Sequence, residues 1–180
     1  MAKAAVLLAN GFETLEALTV VDILRRAEVI CHTFSLEGEE VTTSHNIKIK
    51  ADKDIMDKEI EDYDFLVLPG GMPGARNLKE SERVIELINK FNNSNNWICA
   101  ICAGPIALAK AGITKNKNMT CYPGFENEIS DCNYKEDLVV VDGNIITGKG
   151  PAAAIPFAFE ILSQISKDKA SSIKKAMLFK

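Results

Sequence analysis

One cysteine in this sequence combines a reactive side chain with the local pattern of a sharp turn. The apolar run from Trp97 to Ile101 ends at Cys102, which is followed by Ala103, Gly104 and Pro105. Such a run predicts a buried strand, and Pro105 suits the first turn of a helix, where an N–H needs no partner. A thiol at a strand-to-helix turn points into the open end of a sheet, and nearby N–H groups there favour the thiolate. We therefore predict nucleophilic chemistry at Cys102.

The other cysteines fit structural roles better. Most free cysteines are small buried hydrophobes, and this interpretation suits Cys31, Cys99 and Cys132. Cys99 and Cys102 have the CxxC spacing of a redox pair, but such a pair needs its first cysteine exposed at a helix start, and Cys99 lies inside the apolar run. Five cysteines, odd in number and scattered, favour reduced thiols in a cytoplasmic protein.

Metal and nucleotide sites are only weakly indicated. The chain has two histidines, His32 and His45, and no second CxxC, so we expect no metal site. Residues 143–150 nearly spell a phosphate-binding loop, but Gly150 replaces the Ser or Thr that holds magnesium, and the interior of the segment is typical of a strand. We therefore expect no cofactor.

Composition narrows the class of protein. The 180 residues suit one domain, residues 1–180, and 47% hydrophobic residues allow a sizeable core. A net charge of −4 favours neither nucleic acid nor an anionic membrane as a partner. The first apolar run breaks at Asn10-Gly11, so it predicts a strand and is too short for a membrane span or a signal peptide.

Alternating strand and helix patterns predict the elements that hold Cys102. Leu15, Leu18, Val21 and Leu24 recur every third residue and predict a helix from Thr14 to Arg26. Further helices are predicted at 81–91, 106–111, 152–165 and 169–177, strands at 4–9, 29–36, 64–68 and 97–101, and hairpins at 41–50 and 138–147. This order predicts an α/β fold with a doubly wound, mostly parallel sheet and helices on both faces.

In such sheets, ligands bind outside the carboxyl ends of the strands. The breaks at Asn10-Gly11, at residues 69–74 and at Cys102 all fall at strand ends, so we expect them to meet at one pocket. Glu16 lies in the first turn of the first helix, on the same side. Its carboxylate either faces that pocket or faces solvent in a favourable position for the helix dipole, and spacing alone leaves both readings open.

Five segments of the chain resemble a known family. Their sequences are GFETLE at 11–16, VDILRRA at 21–27, LPGG at 68–71, AICAGP at 100–105 and GKGP at 148–151. In this order, they resemble the ThiJ/PfpI superfamily, and within it the branch that contains the Parkinson-disease-associated deglycase and the bacterial ThiJ/YajL proteins. The resemblance implies a flavodoxin-like fold with a nucleophile elbow, and a homodimer.

The resemblance also implies roles for individual residues. Cys102 matches the reactive, easily oxidised cysteine of the family, and Glu16 matches the carboxyl group that hydrogen-bonds to it. A carboxyl group must be protonated to donate that bond, so we expect a raised pKa for Glu16 and a lowered pKa for Cys102. The N–H groups of Gly71 and Ala103 match an oxyanion hole, which is built partly from the loop that contains Gly70.

This chain lacks two histidines that are found in parts of the family, and three of its positions are relevant to that difference. Peptidases of the PfpI branch have a His directly after the nucleophile, and Ala103 removes that base. Deglycases commonly have a His where this chain has Tyr122, whose phenol can orient a substrate but is a poor base near neutral pH. His45 is a candidate substitute base, and His45 and Arg26 are candidates for contributing to the pocket of a partner subunit.

Two functions of different classes use the same pair, Cys102 and Glu16. In the first, the thiolate attacks a small dicarbonyl such as methylglyoxal, or its adduct on a glycated protein, as in glyoxalases and deglycases. In the second, which is not enzymatic, Cys102 is a peroxide sensor that controls a chaperone activity. The sequence alone does not separate them.

Overall fold

The arrangement of strands and helices is seen in a computed structural model that describes residues 2–179. The strands are β1 Lys3–Leu8, β2 Ile30–Ser35, β3 Glu40–Thr42, β4 Lys48–Lys50, β5 Lys53–Asp54, β6 Phe65–Leu68, β7 Trp97–Ile101, β8 Asn118–Met119, β9 Asn133–Tyr134, β10 Val139–Asp142 and β11 Ile145–Gly148. The α-helices are α1 Thr14–Arg26, α2 Gly74–Glu80, α3 Glu82–Asn93, α4 Pro105–Lys110, α5 Ala154–Ile165 and α6 Lys167–Ala176. Short 3-10 turns lie at Lys58–Asp62, Glu126–Ile129 and Pro151–Ala153.

A seven-stranded sheet organises the chain, in the order β10-β11-β7-β6-β1-β2-β5. All its neighbouring strands pair in parallel except β10 and β11, which form an antiparallel hairpin. The five strands β2-β1-β6-β7-β11 have the 2-1-3-4-5 order of flavodoxin-like sheets. The predicted mostly parallel, flavodoxin-like α/β fold is therefore confirmed.

Both faces of the sheet are buried, because side chains alternate along each strand. Ala4, Val6 and Leu8 of β1 pack in one cluster with residues of α1 and α5. Ala5 and Leu7 pack in a second cluster with residues of α3 and α4. The unbroken apolar runs in the sequence reflect this burial on two sides.

The predicted elements are found with small shifts of their ends. Helix α1 has the predicted bounds, both hairpins are present, and Pro105 occupies the first turn of α4. The Ser81 side chain caps α3 by accepting a hydrogen bond from the N–H of Val84, at 3.4 Å. Helix α2 was not predicted, because its segment begins with glycine and has no apolar repeat. Among residues 2–179, no helix combines the length and the apolar character that a membrane crossing requires.

Candidate active site

Cys102 lies on a strained turn between β7 and α4. Its φ is +63°, in the left-handed region that few residues other than glycine adopt. Main-chain hydrogen bonds hold this turn on two sides: Cys102 N–H donates to the carbonyl of Gly148 at 2.8 Å, and its carbonyl accepts from Tyr122 N–H at 3.0 Å. The residue is 9% exposed. The predicted nucleophile elbow is thus present, with the thiol at the carboxyl edge of the sheet.

Glu16 faces the elbow from the first turn of α1 and is completely buried. Its Oε2 accepts a hydrogen bond from the N–H of Gly70 at 2.8 Å. Its Oε1 is buried without a fixed hydrogen-bond partner within residues 2–179, and the Cys102 thiol is near enough to affect the pKa of the carboxyl group. The structure therefore decides between the two interpretations of Glu16: its side chain faces the Cys102 elbow and not solvent.

Gly70 allows the two side chains to meet. A Cβ at Gly70 would lie 2.7 Å from Cβ of Cys102 and 2.7 Å from Oε2 of Glu16. Both distances are shorter than any real Cβ contact allows. Any side chain at this position would therefore separate the carboxyl group from the thiol.

The N–H groups of Gly71 and Ala103 face the sulfur of Cys102. Ala103 is the residue after the nucleophile, and Gly71 follows β6 with a φ of +84°. A Cβ at Gly71 would lie 2.4 Å from the main-chain nitrogen of Glu13, so this loop packs directly against the start of α1. The two donors have the placement expected of an oxyanion hole beside a thiol nucleophile.

Burial dominates the proton affinities of the pair. It raises the pKa of Glu16 to about 7, against smaller opposing effects of the Cys102 thiol and the Gly70 N–H. The pKa of Cys102 is also raised, first by burial and then by the Glu16 carboxylate, and the N–H groups of Ala103 and Gly71 only partly offset this. The expected raised pKa of Glu16 is confirmed, but the expected lowered pKa of Cys102 is wrong. A second negative charge is costly at this buried site, so the pair holds two protons below about pH 7 and keeps one of them as the pH rises above it.

Glu13 is a neighbour of the site that the sequence did not single out. Its N–H donates to the Gly70 carbonyl at 3.0 Å, and its carboxylate also contributes to the raised pKa of Glu16. Its Oε2 accepts from the Ser44 hydroxyl at 3.0 Å and lies 3.6 Å from Nδ1 of His45. The sequence indicates Glu13 only by its position, two residues after the Asn10-Gly11 break that follows β1.

The other predicted site residues differ in how they connect to the Cys102 elbow. Tyr122 is joined to Cys102 by its main chain, and its side chain is 46% exposed. His45 lies on the hairpin of β3 and β4 and approaches the site through Glu13. Arg26 pairs with Asp22 at 2.7 Å and is ten residues from Glu16, about 15 Å along the helix axis. The chain thus brings Tyr122 next to its own elbow but leaves Arg26 remote from it.

The remaining cysteines differ from Cys102. Cys99 is completely buried inside β7, and burial raises its pKa well above the usual value. Burial likewise raises the pKa of Cys31 to about 12. All five cysteines are free. The part of the chain that the structure describes contains no group of three metal-ligating side chains.

Comparisons with known proteins find relatives that cover nearly the whole chain. The chain is 36% identical over 183 residues to protein dj-1beta of Drosophila melanogaster, which covers 99% of this chain and 98% of the relative. It is 35% identical to the Parkinson disease protein 7 homolog of Danio rerio, over 99% of this chain and 97% of that one.

Solved structures show the same similarity. The crystal structure of Drosophila melanogaster DJ-1beta matches with a TM-score of 0.95, 35% identity and full coverage of both chains. That of oxidized Toxoplasma gondii DJ-1 matches with a TM-score of 0.93 and 32% identity, over 99% of each chain. The family described as DJ-1/PfpI matches residues 2–164. This match covers the strands and helices that build the elbow, and the chain therefore belongs to the DJ-1/PfpI family.

Proposed function

We propose that this protein removes reactive carbonyls, as a glyoxalase or protein deglycase does, by attack of Cys102 on a dicarbonyl or its adduct on a protein amine. The observation that carries the proposal is the Cys102 sulfur held between a buried carboxyl group and two N–H donors. A carbonyl carbon needs a nucleophile on one side and charge stabilisation at its oxygen. Cys102 supplies the first, and Gly71 and Ala103 supply the second.

With methylglyoxal, Sγ bonds to the aldehyde carbon and the carbonyl electron pair moves to oxygen, which takes up a proton. The C–H proton of that carbon then moves to the neighbouring ketone carbon and the hydroxyl proton moves to the ketone oxygen, which gives a thioester. Water cleaves the thioester to release lactate and restore the thiol. Glu16 is suited to carry these protons, because a pKa of about 7 lets the carboxyl group hold or release a proton near neutral pH.

Tyr122 and the cluster of Glu13, Ser44 and His45 complete the proposed site. The Tyr122 phenol orients the substrate beside the elbow. His45 lies beside Ser44 and Glu13, and the Glu13 N–H donates to the Gly70 carbonyl. In a homodimer, which we propose from the family, His45 and Arg26 would also serve the partner's pocket. Five free cysteines suit the reducing cytoplasm, where we propose that the protein acts.

The test is lactate formation from methylglyoxal by the wild type and by the variant Cys102→Ser, with Cys132→Ser as the matched control. Cys132 is also a free cysteine but is remote from Glu16 in the sequence and only half-buried. We expect turnover by the wild type and the control, and none by Cys102→Ser. Turnover that survives in Cys102→Ser contradicts the proposal.

A second candidate is a peroxide sensor with a redox-regulated chaperone activity. The observation that favours it is the buried Oε1 of Glu16, which has no fixed partner in the described chain and belongs to a carboxyl group beside a sulfur already flanked by two N–H groups. Two equivalents of peroxide convert the thiol to a sulfinate, whose oxygens could accept all three hydrogen bonds if Glu16 is protonated. Mass spectrometry after mild peroxide treatment should then show two oxygen atoms on Cys102 alone. Absence of methylglyoxal turnover together with this product favours the sensor.

A further inference from the structure

We infer that the cleft between Tyr122 and Leu138 binds an apolar substituent of the substrate, so that the preferred dicarbonyls carry an aryl or branched alkyl group on the ketone carbon. The inference rests on the proposed attack of Cys102 on a dicarbonyl. It adds the chemical class of the substituent on the ketone carbon of the substrate, which Cys102 and Glu16 do not determine.

The cleft lies beside the nucleophile, because both of its walls are joined to the main chain of Cys102. One wall begins at Tyr122, whose N–H donates to the Cys102 carbonyl at 3.0 Å. The other wall follows Gly148, whose carbonyl accepts from the Cys102 N–H at 2.8 Å. Ala153, at the end of that second wall, belongs to the same buried cluster as Cys102.

The side chains around the cleft are apolar and are positioned by the fold. The cleft has a volume of about 220 Å³ and is lined by Tyr122, Pro123, Leu138 and residues 149–153. The Tyr122 ring packs on Gly150, where a Cβ would lie 3.0 Å from Cδ2 of the ring. Leu138 is held at the rim because its carbonyl accepts from Lys149 N–H at 2.9 Å.

Two large apolar side chains of the cleft are therefore partly in solvent, on segments that main-chain hydrogen bonds connect to the Cys102 turn. Tyr122 is 46% exposed and Leu138 is 54% exposed. An apolar group that enters the cleft removes this surface from water, which is favourable in proportion to the area buried. A ring stacked on Tyr122 gains further from aromatic contact.

The lining does not suit a charged or sugar-like substituent. Lys149 is its one charged residue, and the Lys149 ammonium is already paired with the Glu136 carboxylate and lies 3.2 Å from the Glu136 carbonyl. A carboxylate on the substrate would have to compete with Glu136 for this cation. The hydroxyl groups of a sugar-derived dicarbonyl would lose water without gaining partners from proline, alanine and leucine side chains.

The first test compares phenylglyoxal with methylglyoxal as substrates of the wild type, of Leu138→Gln and of Val141→Ala. Val141 is a matched control, because it is an exposed apolar residue of the same hairpin that does not line the cleft. We expect kcat/KM of the wild type to be about tenfold higher for phenylglyoxal, Val141→Ala to keep this preference, and Leu138→Gln to lose it through a higher KM for phenylglyoxal. Equal loss with both substrates, or a preference that survives in Leu138→Gln, overturns the inference.

The second test does not depend on turnover. Benzyl and methyl methanethiosulfonate both react with a thiolate, whose sulfur bonds to the reagent's sulfenyl sulfur as methanesulfinate leaves. The rate at Cys102, followed by mass spectrometry of its peptide, should be several-fold higher for the benzyl reagent in the wild type and in Val141→Ala, but not in Leu138→Gln. If no dicarbonyl is turned over but this difference is found, the proposed reaction fails and the apolar subsite stands. If the ratio of rates is the same in all three proteins, the subsite is wrong even where turnover is found.

Discussion

Each end of helix α1 is associated with one carboxyl group, and the two groups differ in burial and in hydrogen bonding. At the first turn, Glu16 is completely buried, receives one N–H hydrogen bond and faces a thiol. At the last turn, Arg25 bonds at 2.5 Å to Asp52, whose same oxygen accepts from the N–H and the hydroxyl of Thr33, both at 2.8 Å. The residues Glu16 and Arg25 are nine positions apart, about 14 Å along the axis.

The pKa values of the two acids move in opposite directions. Burial raises the pKa of Glu16 to about 7. Burial also raises that of Asp52, but the Thr33 hydrogen bonds and the Arg25 charge outweigh it, so the pKa of Asp52 is held below its usual value. One helix therefore carries an acid that titrates near neutral pH at one end and binds an acid that is ionised at neutral pH at the other. The lesson is that the burial of a carboxyl group, together with the hydrogen bonds and cations around it, decides whether it titrates near neutral pH.

The largest expected difference between the two ends is in catalysis. Glu16→Gln should lower kcat/KM for methylglyoxal by about 100-fold, because the amide cannot exchange the proton that the reaction moves. Asp52→Asn should leave kcat/KM within twofold, since Asp52 contacts the far end of α1. Steady-state lactate formation measures both. Similar losses in the two variants would remove the functional distinction between the ends.

The pH dependence of stability should separate the two ends next. The folded pKa of Glu16 lies above the reference value of 4.5, so the stability it contributes is present below pH 4.5 and is lost as the pH rises to about 7. This loss corresponds to about 3 kcal/mol in the free energy of unfolding. Urea unfolding of Glu16→Gln between pH 4.5 and 8 should lack the decline.

In the same urea titration, Asp52→Asn is the matched control. The Asp52 carboxyl group of the wild type titrates below this pH range, so the decline in the free energy of unfolding should remain in Asp52→Asn. A slope that is unchanged in Glu16→Gln would show that Glu16 keeps an ordinary pKa in the folded protein.

The reactivity of the thiol should show a smaller effect of the same proton. In the wild type, the alkylation rate of Cys102 by iodoacetamide should change near pH 7, because the pair loses a proton there, whichever group holds the one that remains. Glu16→Gln should lose the inflection near pH 7, and Asp52→Asn should keep it. Identical profiles in the wild type and Glu16→Gln would contradict the coupling between Glu16 and Cys102.

The smallest expected effect is on the stability contributed by Asp52. Asp52→Asn should lower the free energy of unfolding at pH 7 by about 1 kcal/mol, since the partly exposed pair with Arg25 and the bonds from Thr33 are weakened. The folded pKa of Asp52 is depressed, so its contribution is present above the reference pKa of 3.8 and is lost as the pH falls through the folded value. Acid unfolding curves should therefore converge at low pH. A difference that persists in acid would indicate packing and not charge.

Much of the fold was predictable, because local pattern and burial agree along most of the chain. The run before Cys102 is apolar at every position since β7 is buried on both faces, and Pro105 begins α4 as its ring geometry favours. Helix α2 was not predictable from the sequence pattern, because small residues such as Gly74 and Ala75 form part of its buried face and give no apolar repeat. The convergence of the strand ends at one edge followed from the parallel order of the strands.

The approach of Glu16 to Cys102 was predictable with the help of the family resemblance, and the electrostatics of the pair were less so. The spacing of apolar residues correctly placed Glu16 in the first turn of α1, but only the resemblance to a family favoured its approach to Cys102. The thiol pKa was predicted in the wrong direction, because a sequence does not show that burial outweighs the N–H groups of Gly71 and Ala103. Glu13 was overlooked because its contacts with Ser44 and Gly70 join residues distant in the sequence.

By itself, the sequence determined the elbow, the α/β order and the family resemblance, since these depend on residue types and local spacing. The tertiary structure alone decided that Glu16 is buried against the thiol, that Gly70 lets the two side chains meet, and that an apolar cleft opens beside Tyr122. The physical reason is that proton affinity and substrate fit depend on desolvation and on contacts between segments far apart in the chain. Such contacts exist only once the sheet and its helices have packed.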